Sequence, residues 1–312
     1  MVDILMATYN GEKYLEEQIE SIIGQSYKEW NLIIRDDGST DRTAEILKKY
    51  ADAYPEKICV KFNSVGTGSA KANFFKLIHD AQSTYVMFCD QDDVWDADKI
   101  EVTLGKMKQM EEDGSQIPLL VATDLKVVDS KGNVLDDSFL HYMNLPETVQ
   151  LNHILIQNNI TGCTVMINRV LCQMLKEVKS VQKIVMHDHF AAITAALYGK
   201  VEILNQSTIQ YRQHEANSVG AMDAKSLRYM LERFKRGRKR FRKDMEDSMN
   251  QAAYLCRLYK NKYEIQSRYD KRLIVGYSQL VSANKIEKYK FYFKYHVFKC
   301  GKIRKIMQLV WS

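Results

Sequence analysis

Through the amino-terminal part of the chain, apolar positions alternate between two rhythms. Short, nearly continuous runs at residues 4–8, 30–35, 57–63 and 85–89 have the length and composition of buried strands. Between them, residues 12–23 set Tyr14, Leu15, Ile19, Ile22 and Ile23 at helical spacing. Residues 41–50 read as a helix with Ser39, Thr40 and Asp41 as candidate caps, and residues 70–81 gather Phe74, Phe75, Leu77 and Ile78 on one face. Asp96 is positioned to cap a further helix running to Glu112. This βαβα series predicts an α/β fold, a mostly parallel sheet flanked by helices. From Leu119 the pattern loosens. Strands are expected at 119–123, 126–128 and 161–167, a turn at Lys131-Gly132-Asn133, a helix at 189–197 and a return to the sheet at 201–205.

Open sheets of this kind bind ligands beyond the carboxyl ends of their strands. The polar runs Tyr9-Asn10-Gly11, Asp36-Asp37-Gly38-Ser39 and Asp90-Gln91-Asp92-Asp93 all fall at such ends. Crowded carboxylates repel one another, so the last run makes sense if a cation neutralises it. Asp90 and Asp92 leave an extended chain on the same side, where their oxygens could meet a divalent metal and, through it, a diphosphate. A solvated turn with a helix cap is the competing reading.

Composition narrows the setting. The chain has 312 residues, 46% hydrophobic, with three prolines, which supports a real core without long disordered linkers. Its six cysteines (59, 89, 163, 172, 256 and 300) show no paired C-x-x-C spacing, which fits a reducing compartment better than a disulfide framework or a zinc site. Cys59 and Cys89 lie in strand-like runs and are expected in the core. No signal peptide is visible and no run approaches the ~18–20 apolar residues of a spanning helix, so a cytoplasmic location is expected.

Charge divides the chain. Residues 225–312 carry 24 Lys and Arg against 7 Asp and Glu, whereas residues 1–224 carry 21 against 32, so the net +6 combines +17 with −11. Two parts are therefore expected, 1–224 and a basic, Tyr-rich helical region at 225–312. In the second, Ile303, Ile306, Met307 and Val310 repeat at helical spacing with Lys302, Arg304 and Lys305 on other faces. Residues 289–298 interleave Tyr and Phe with Lys, and residues 235–243 are strongly basic. Such faces suit an anionic membrane surface; packing within a helical subdomain or a homodimer interface is the alternative. No zinc-ligand pattern or RNA-binding aromatic motif points to nucleic acid.

With these features in hand, residues 1–220 resemble the family 2 inverting glycosyltransferases of the Rossmann-like GT-A fold. The landmarks are Ala7-Thr8-Tyr9-Asn10, Gln25-Ser26-Tyr27, Asp36-Asp37-Gly38-Ser39-Thr40-Asp41 and Asp90-Gln91-Asp92-Asp93-Val94-Trp95. Gly68-Ser69-Ala70-Lys71-Ala72-Asn73-Phe74, His187-Asp188 and Tyr211-Arg212-Gln213-His214 are similar to the bacterial rhamnosyltransferase branch. The resemblance implies that Asp37 accepts the imide N–H of a uracil or thymine, that Asp36 holds the loop or the ribose, and that Thr8 and Tyr9 border the base. It implies that Lys71 or Asn73 reaches the nucleotide, with a solvent-facing Lys71 as the alternative. Asp92 matches the principal ligand of Mg²⁺ or Mn²⁺, with Asp90 on the ribose or in the metal shell, and His214 matches a late histidine near metal or diphosphate. Asp93 caps or orients the loop, Trp95 is a sugar wall or core, and Arg212 is a contact for phosphate. Asp188 matches the general base, with the flanking His187 and His189 or a plain helix cap as alternatives.

The activity implied is metal-dependent inverting transfer of L-rhamnose from dTDP-rhamnose to a growing, lipid-linked cell-surface polysaccharide, at the inner face of the plasma membrane. A UDP-sugar donor is the second reading. A haloacid-dehalogenase-type phosphatase is the third, since Asp90 and Asp92 also fit its D-x-D-x-[TV] pattern, although three βα units here precede the strand that usually opens that fold.

Overall fold

The computed structural model describes residues 1–214, 227–265 and 267–312, with only the backbone course for 227–236. The expected domain boundary at 224/225, and Glu215 beside His214, lie outside the described residues. In chain order the amino-terminal elements are β1 (Val2–Thr8), α1 (Leu15–Ile23), β2 (Trp30–Asp36), α2 (Thr43–Ala53), β3 (Ile58–Phe62), α3 (Ala70–Asp80) and β4 (Tyr85–Cys89). There follow β5 (Val94–Trp95), α4 (Lys99–Glu111), β6 (Leu119–Val128), β7 (Val134–Asp136), α5 (Phe139–Tyr142) and α6 (Leu151–Ile154). Then come β8 (Val165–Asn168), α7 (Arg169–Lys176), α8 (His187–Tyr198) and β9 (Lys200–Arg212). The helices α9 (Leu227–Leu258), α10 (Arg268–Gln279), α11 (Lys285–Tyr295) and α12 (Lys302–Trp311) complete the chain.

The strands form one sheet in the order β3-β2-β1-β4-β8-β6-β9-β5, with β7 paired to β6. β3, β2, β1 and β4 are parallel, as the βα alternation predicts; β8 runs antiparallel to both β4 and β6, and β6 and β9 are parallel. Register aligns the ends that matter. Thr8 lies opposite Asp36, and Met6 opposite Cys89, so the segments after β1, β2 and β4 leave one edge together.

Period-two alternation sorts the strand residues onto two apolar layers. Leu5, Val86, Phe88, Leu120 and Ile167 pack with α3, α7 and α8, while Ile4, Met6, Met87, Val121 and Met166 pack with α1 and α4. Each large side chain so buried stabilises the fold by about 1.5–3 kcal/mol.

Several elements differ locally from expectation. The strands expected at 119–123 and 126–128 are one strand, β6, whose register with β9 shifts on both sides of Asp124. The segment expected to be a strand from Thr161 begins as a tight turn at Gly162–Thr164. Ser39 does not cap α2, because its hydroxyl is engaged by Asp36; Asp41 instead accepts the Thr43 N–H at 3.0 Å. Asp96 acts on α4 through its carbonyl, which accepts the Lys99 N–H, and its carboxylate meets Lys126. Cys59 faces solvent, because β3 is the edge strand, while Cys89 is buried. The return strand is much longer than 201–205: β9 runs 13 residues. Gly199 starts that pairing, since a Cβ there would stand 1.8 Å from the Pro118 carbonyl oxygen, which accepts the Lys200 N–H.

The carboxyl-terminal helices extend the α3–α7–α8 layer. Phe241, Met245, Met249, Leu255, Tyr259, Tyr277 and Tyr292 join the same apolar cluster. Tyr259 and Tyr277 bury their rings and place their hydroxyls on partners, Tyr259 on the Met174 carbonyl and Tyr277 with Ser248, both at 2.7 Å. α12 departs from the expected stripe. Met307 is buried, and Arg304 is buried with a bond to the Met143 carbonyl, while Ile303, Ile306 and Val310 face solvent. No helix among the described residues is long and apolar enough to cross a membrane.

Candidate active site

At the shared edge, the Thr8 hydroxyl donates to Asp36 Oδ1 at 3.2 Å. The Asp36 carboxylate also accepts the N–H groups of Gly38 and Ser39 and the Ser39 hydroxyl, so it ties the turn after β2. Asp37 faces a second loop. Its oxygens accept Asn63 Nδ2 and the Thr67 N–H at 2.7 Å, the Thr67 hydroxyl at 2.9 Å and the Gly68 N–H at 3.0 Å. Burial works to raise the Asp37 carboxyl, but these donors outweigh it and hold it below its ordinary value. Gly66 permits the contact, since a Cβ there would come within 2.4 Å of the Asp37 carbonyl oxygen.

Gln91 has a role that the sequence did not reveal. It clasps the Tyr9 backbone, accepting its N–H at 2.9 Å and donating to its carbonyl at 3.0 Å, and so joins the ends of β1 and β4. The Tyr9 ring is left 56% exposed at the rim. Lys71 and Asn73 are used to hold α3. The Lys71 ammonium donates to the Ile184 carbonyl and Asn73 Nδ2 to the Arg35 carbonyl, while Asn73 Oδ1 accepts the Asn63 amide behind Asp37.

The acidic run separates into two groups. Ligand atoms of Asp90, Asp93 and Cys163 lie within 4.8 Å of one another on the inner side. Asp92 turns outward, with Oδ2 2.8 Å from His214 Nε2. Arg212 braces both: its N–H reaches Asp93 Oδ1 at 3.3 Å and its Nε the Asp92 carbonyl at 3.2 Å. Its guanidinium stacks on Tyr14 and pairs with Glu17 at 2.6 Å. Burial, then Asp92 and Asp188, push Asp90 up to about 7; burial, then Asp92 and Asp90, raise Asp93 well above the usual range. The site thus carries more negative charge than it can ionise without a cation.

The donor set identifies where a cation fits. Adjacent ligands of an octahedral Mg²⁺ or Mn²⁺ with bonds of about 2.1 Å stand about 3 Å apart. Asp92 Oδ2 and His214 Nε2, joined here by a hydrogen bond of 2.8 Å, stand at a spacing that two such ligands could keep. The inner group fits less well, because burial pushes the Cys163 thiol well up and a neutral thiol is a poor ligand for a hard ion. Trp95 is 3% exposed and belongs to the core, with the Lys99 ammonium 4.9 Å from its ring.

Asp188 lies inside the first turn of α8 rather than capping it, since the helix begins at His187 after Met186. Its oxygens accept the His189 N–H at 2.7 Å and Asn158 Nδ2 at 3.2 Å, and burial raises it to about 6. Its charge acts on Asp90, so the two carboxylates lie near one another. The flanking histidines are committed elsewhere. His187 is stacked 3.9 Å from Phe74 with neither ring nitrogen bonded, and burial drives it down to about 3. His189 is held between the Ile154 carbonyl and Gln251, and burial lowers it to about 4.

The site's contributors come from β1, β2, β4, α8 and the end of β9. Glu17, Asn158 and Lys99 went unread because no local pattern distinguishes them from surface residues. Comparison with known proteins agrees with this architecture. A search of solved structures matches S. aureus TarS 1–349 in complex with UDP-GlcNAc, with a TM-score of 0.58 over 94% of this chain and 89% of that one, at 16% identity. The fold is therefore GT-A. TuaG of Bacillus subtilis, assigned to teichuronic acid biosynthesis, is 35% identical over 54% of this chain, which spans 62% of TuaG's length. The dTDP-rhamnosyl transferase RfbG of Shigella flexneri is 33% identical over 69% of this chain and 74% of its own. The family model described as glycosyl transferase family 2 matches residues 3–172, more than half of the sequence, and the chain belongs to that family.

Proposed function

We propose that this protein transfers a sugar from a nucleoside-diphosphate donor, with inversion, to a hydroxyl of a growing lipid-linked surface saccharide, and that its donor is dTDP-rhamnose. The observation that carries the reading is the convergence, on one sheet edge, of the Asp37 loop, the Asp92–His214 pair and the buried base Asp188. Asp37 would receive the pyrimidine imide N–H in exchange for one of its loop donors, beside Thr8 and Tyr9. Asp90 would face the ribose and diphosphate, and Arg212 would reach phosphate on leaving Glu17. A divalent ion held by Asp92 and His214 would supply positive charge opposite the departing diphosphate. Asp188 takes the acceptor proton as the hydroxyl oxygen attacks the anomeric carbon from the face opposite the diphosphate. The proton moves late, as bond formation makes the hydroxyl acidic.

Rhamnose is favoured by the likeness to RfbG across most of the chain. A UDP-hexose is the second reading, because a carboxylate that binds the imide N–H accepts uracil and thymine alike. The family match sets the phosphatase reading aside. We assign residues 225–312 to the anionic inner face of the plasma membrane, since Phe293, Ile303, Ile306 and Val310 are exposed among Lys290, Lys294, Lys302 and Lys305. A homodimer would use the same face.

Thermal shift with dTDP-rhamnose, UDP-glucose, UDP-galactose and UDP-N-acetylglucosamine, each with Mn²⁺ or EDTA, tests the donor. Stabilisation by dTDP-rhamnose in Mn²⁺ is expected. A response to a UDP-sugar alone moves the assignment to the second reading, and no response to any donor overturns both.

A further inference from the structure

The Asp37 carboxylate is fully subscribed. Oδ1 accepts Asn63 Nδ2 and the Thr67 N–H, both at 2.7 Å, and Oδ2 accepts the Thr67 hydroxyl at 2.9 Å and the Gly68 N–H at 3.0 Å. An ionised carboxylate offers about four lone-pair sites, so a pyrimidine imide N–H is accepted in full only if one of these donors lets go. A buried donor that lets go with no second acceptor is stranded, and that cost cancels the gain.

Three of the donors have no such freedom. The Thr67 and Gly68 N–H groups belong to the backbone of a turn in which Gly68 takes a φ of +65°, next to Ser69, the cap of α3. Releasing either means moving the loop. Asn63 Nδ2 already divides its hydrogens between Asp37 and Asn73 Oδ1, the latter at 3.3 Å. The Thr67 hydroxyl is different. Its single hydrogen has two acceptors within reach, Asp37 Oδ2 at 2.9 Å and the Ser69 carbonyl at 3.0 Å. Its oxygen also accepts the Ser69 N–H at 3.2 Å, which holds it in place whichever way the hydrogen points. Rotation about one C–O bond therefore carries the hydrogen from carboxylate to carbonyl without moving a heavy atom.

We propose that Thr67 is the exchange donor of the base site: its hydroxyl holds Asp37 Oδ2 as seen here and turns to the Ser69 carbonyl when the imide N–H of the donor's pyrimidine arrives. This rests on the reading of Asp37 as the acceptor for the base. Thr67 is a positioning residue, which sets how much of the base's hydrogen bond is expressed as affinity. A cytosine brings a lone pair at N3 in place of the N–H, so it takes no such bond from Asp37 and leaves the Thr67 hydroxyl where it is.

The test is calorimetric titration of the full chain in Mn²⁺ with dTDP and dCDP, which share the deoxyribose diphosphate and differ in the base. The quantity read is the ratio of the dCDP to the dTDP dissociation constant. Thr67→Val removes the competing donor, so the imide bond is no longer offset by the loss of a charged one, and the ratio should rise about 5–10-fold. Thr67→Ala should do the same, and Thr67→Ser, which returns the hydroxyl, should return the ratio to that of the wild type. General damage to the loop weakens both nucleotides alike and leaves the ratio unmoved. A ratio unchanged or lowered in both Thr67→Val and Thr67→Ala overturns the exchange. Asp37→Asn, read in parallel, should lower the ratio. If it does so while the Thr67 variants stay flat, the exchange alone is wrong; if it leaves the ratio unchanged, the reading of Asp37 as the base acceptor fails and the exchange falls with it.

Discussion

Asn158 offers a direct test of Asp188 as the base. Its amide donates to Asp188 Oδ2 at 3.2 Å, while the other oxygen accepts the His189 N–H. Burial raises Asp188 to about 6 against the pull of these donors, which favour the charged form. Asn158→Ala removes one of them. A hydrogen bond to a charged group contributes about 1.5–3 kcal/mol, and the length of this one argues for the low end. At about 1.36 kcal/mol per pKa unit, the base should rise by about one unit. The base acts when ionised, so kcat/KM should fall below about pH 6 in the wild type and below about pH 7 in the variant, with the alkaline plateau kept. At pH 6 this is about a fivefold loss. The assay is initial-rate release of nucleoside diphosphate at saturating Mn²⁺ from about pH 5 to about pH 8.5. Asp90, near 7, titrates in the same window, but the Asn158 amide is bonded to Asp188 and the Asp188 charge helps to raise Asp90, so a limb set by Asp90 would not move up and would if anything move down. An unmoved limb, or a loss equal at every pH, would refute Asp188 as the titrating base.

Other outcomes follow from the same geometry. Asp188→Asn should cut turnover by about 10²–10⁴-fold with donor affinity by calorimetry nearly unchanged; retained turnover reassigns the base. Asp188 is raised in the fold from 3.8 to about 6, so the folded state binds a proton there that the unfolded state has released. Its contribution is therefore present at low pH and lost as pH rises through about 6, by about 3 kcal/mol. His187 and His189, held low by burial, act with the opposite sign over the same range, so the Asp188 share is read in metal-free protein as the change in melting temperature from about pH 5 to about pH 8 in the wild type minus that in Asp188→Asn; the wild type should lose more on going to about pH 8, and the reverse would contradict the assignment. Gly66→Ala drives a methyl group into the Asp37 carbonyl and should cost about 1–3 kcal/mol in denaturant unfolding, together with weaker donor binding. Phe293→Asp with Ile306→Asp should abolish flotation with anionic liposomes while leaving transfer to a soluble acceptor intact; unchanged flotation removes that face from the membrane reading.

The parallel half of the sheet was legible because each strand is a short apolar run closed by a turn, so periodicity and local turn chemistry suffice. The position of Asp37, Asp90 and Asp92 at strand ends was legible in the same way, because carboxylates just after buried strands are conspicuous on a scale of a few residues; Asp188 was singled out by the family resemblance. β9 was not legible in full. Its outer half, Asn205 to Gln210, is largely polar and gains its hydrogen bonds from β6, more than 70 residues earlier in the chain. That pairing brings His214 to Asp92 across 122 residues and sets Arg212 against Asp93. The burial of Lys99 and the inward turn of the carboxyl-terminal tyrosines are likewise decided by which surface closes over them. The sequence by itself determined the strands and the groups at their ends, because those depend on nearest neighbours along the chain. Only the tertiary structure decided which groups share charge, because separation in space, rather than along the chain, sets Coulomb energy and desolvation.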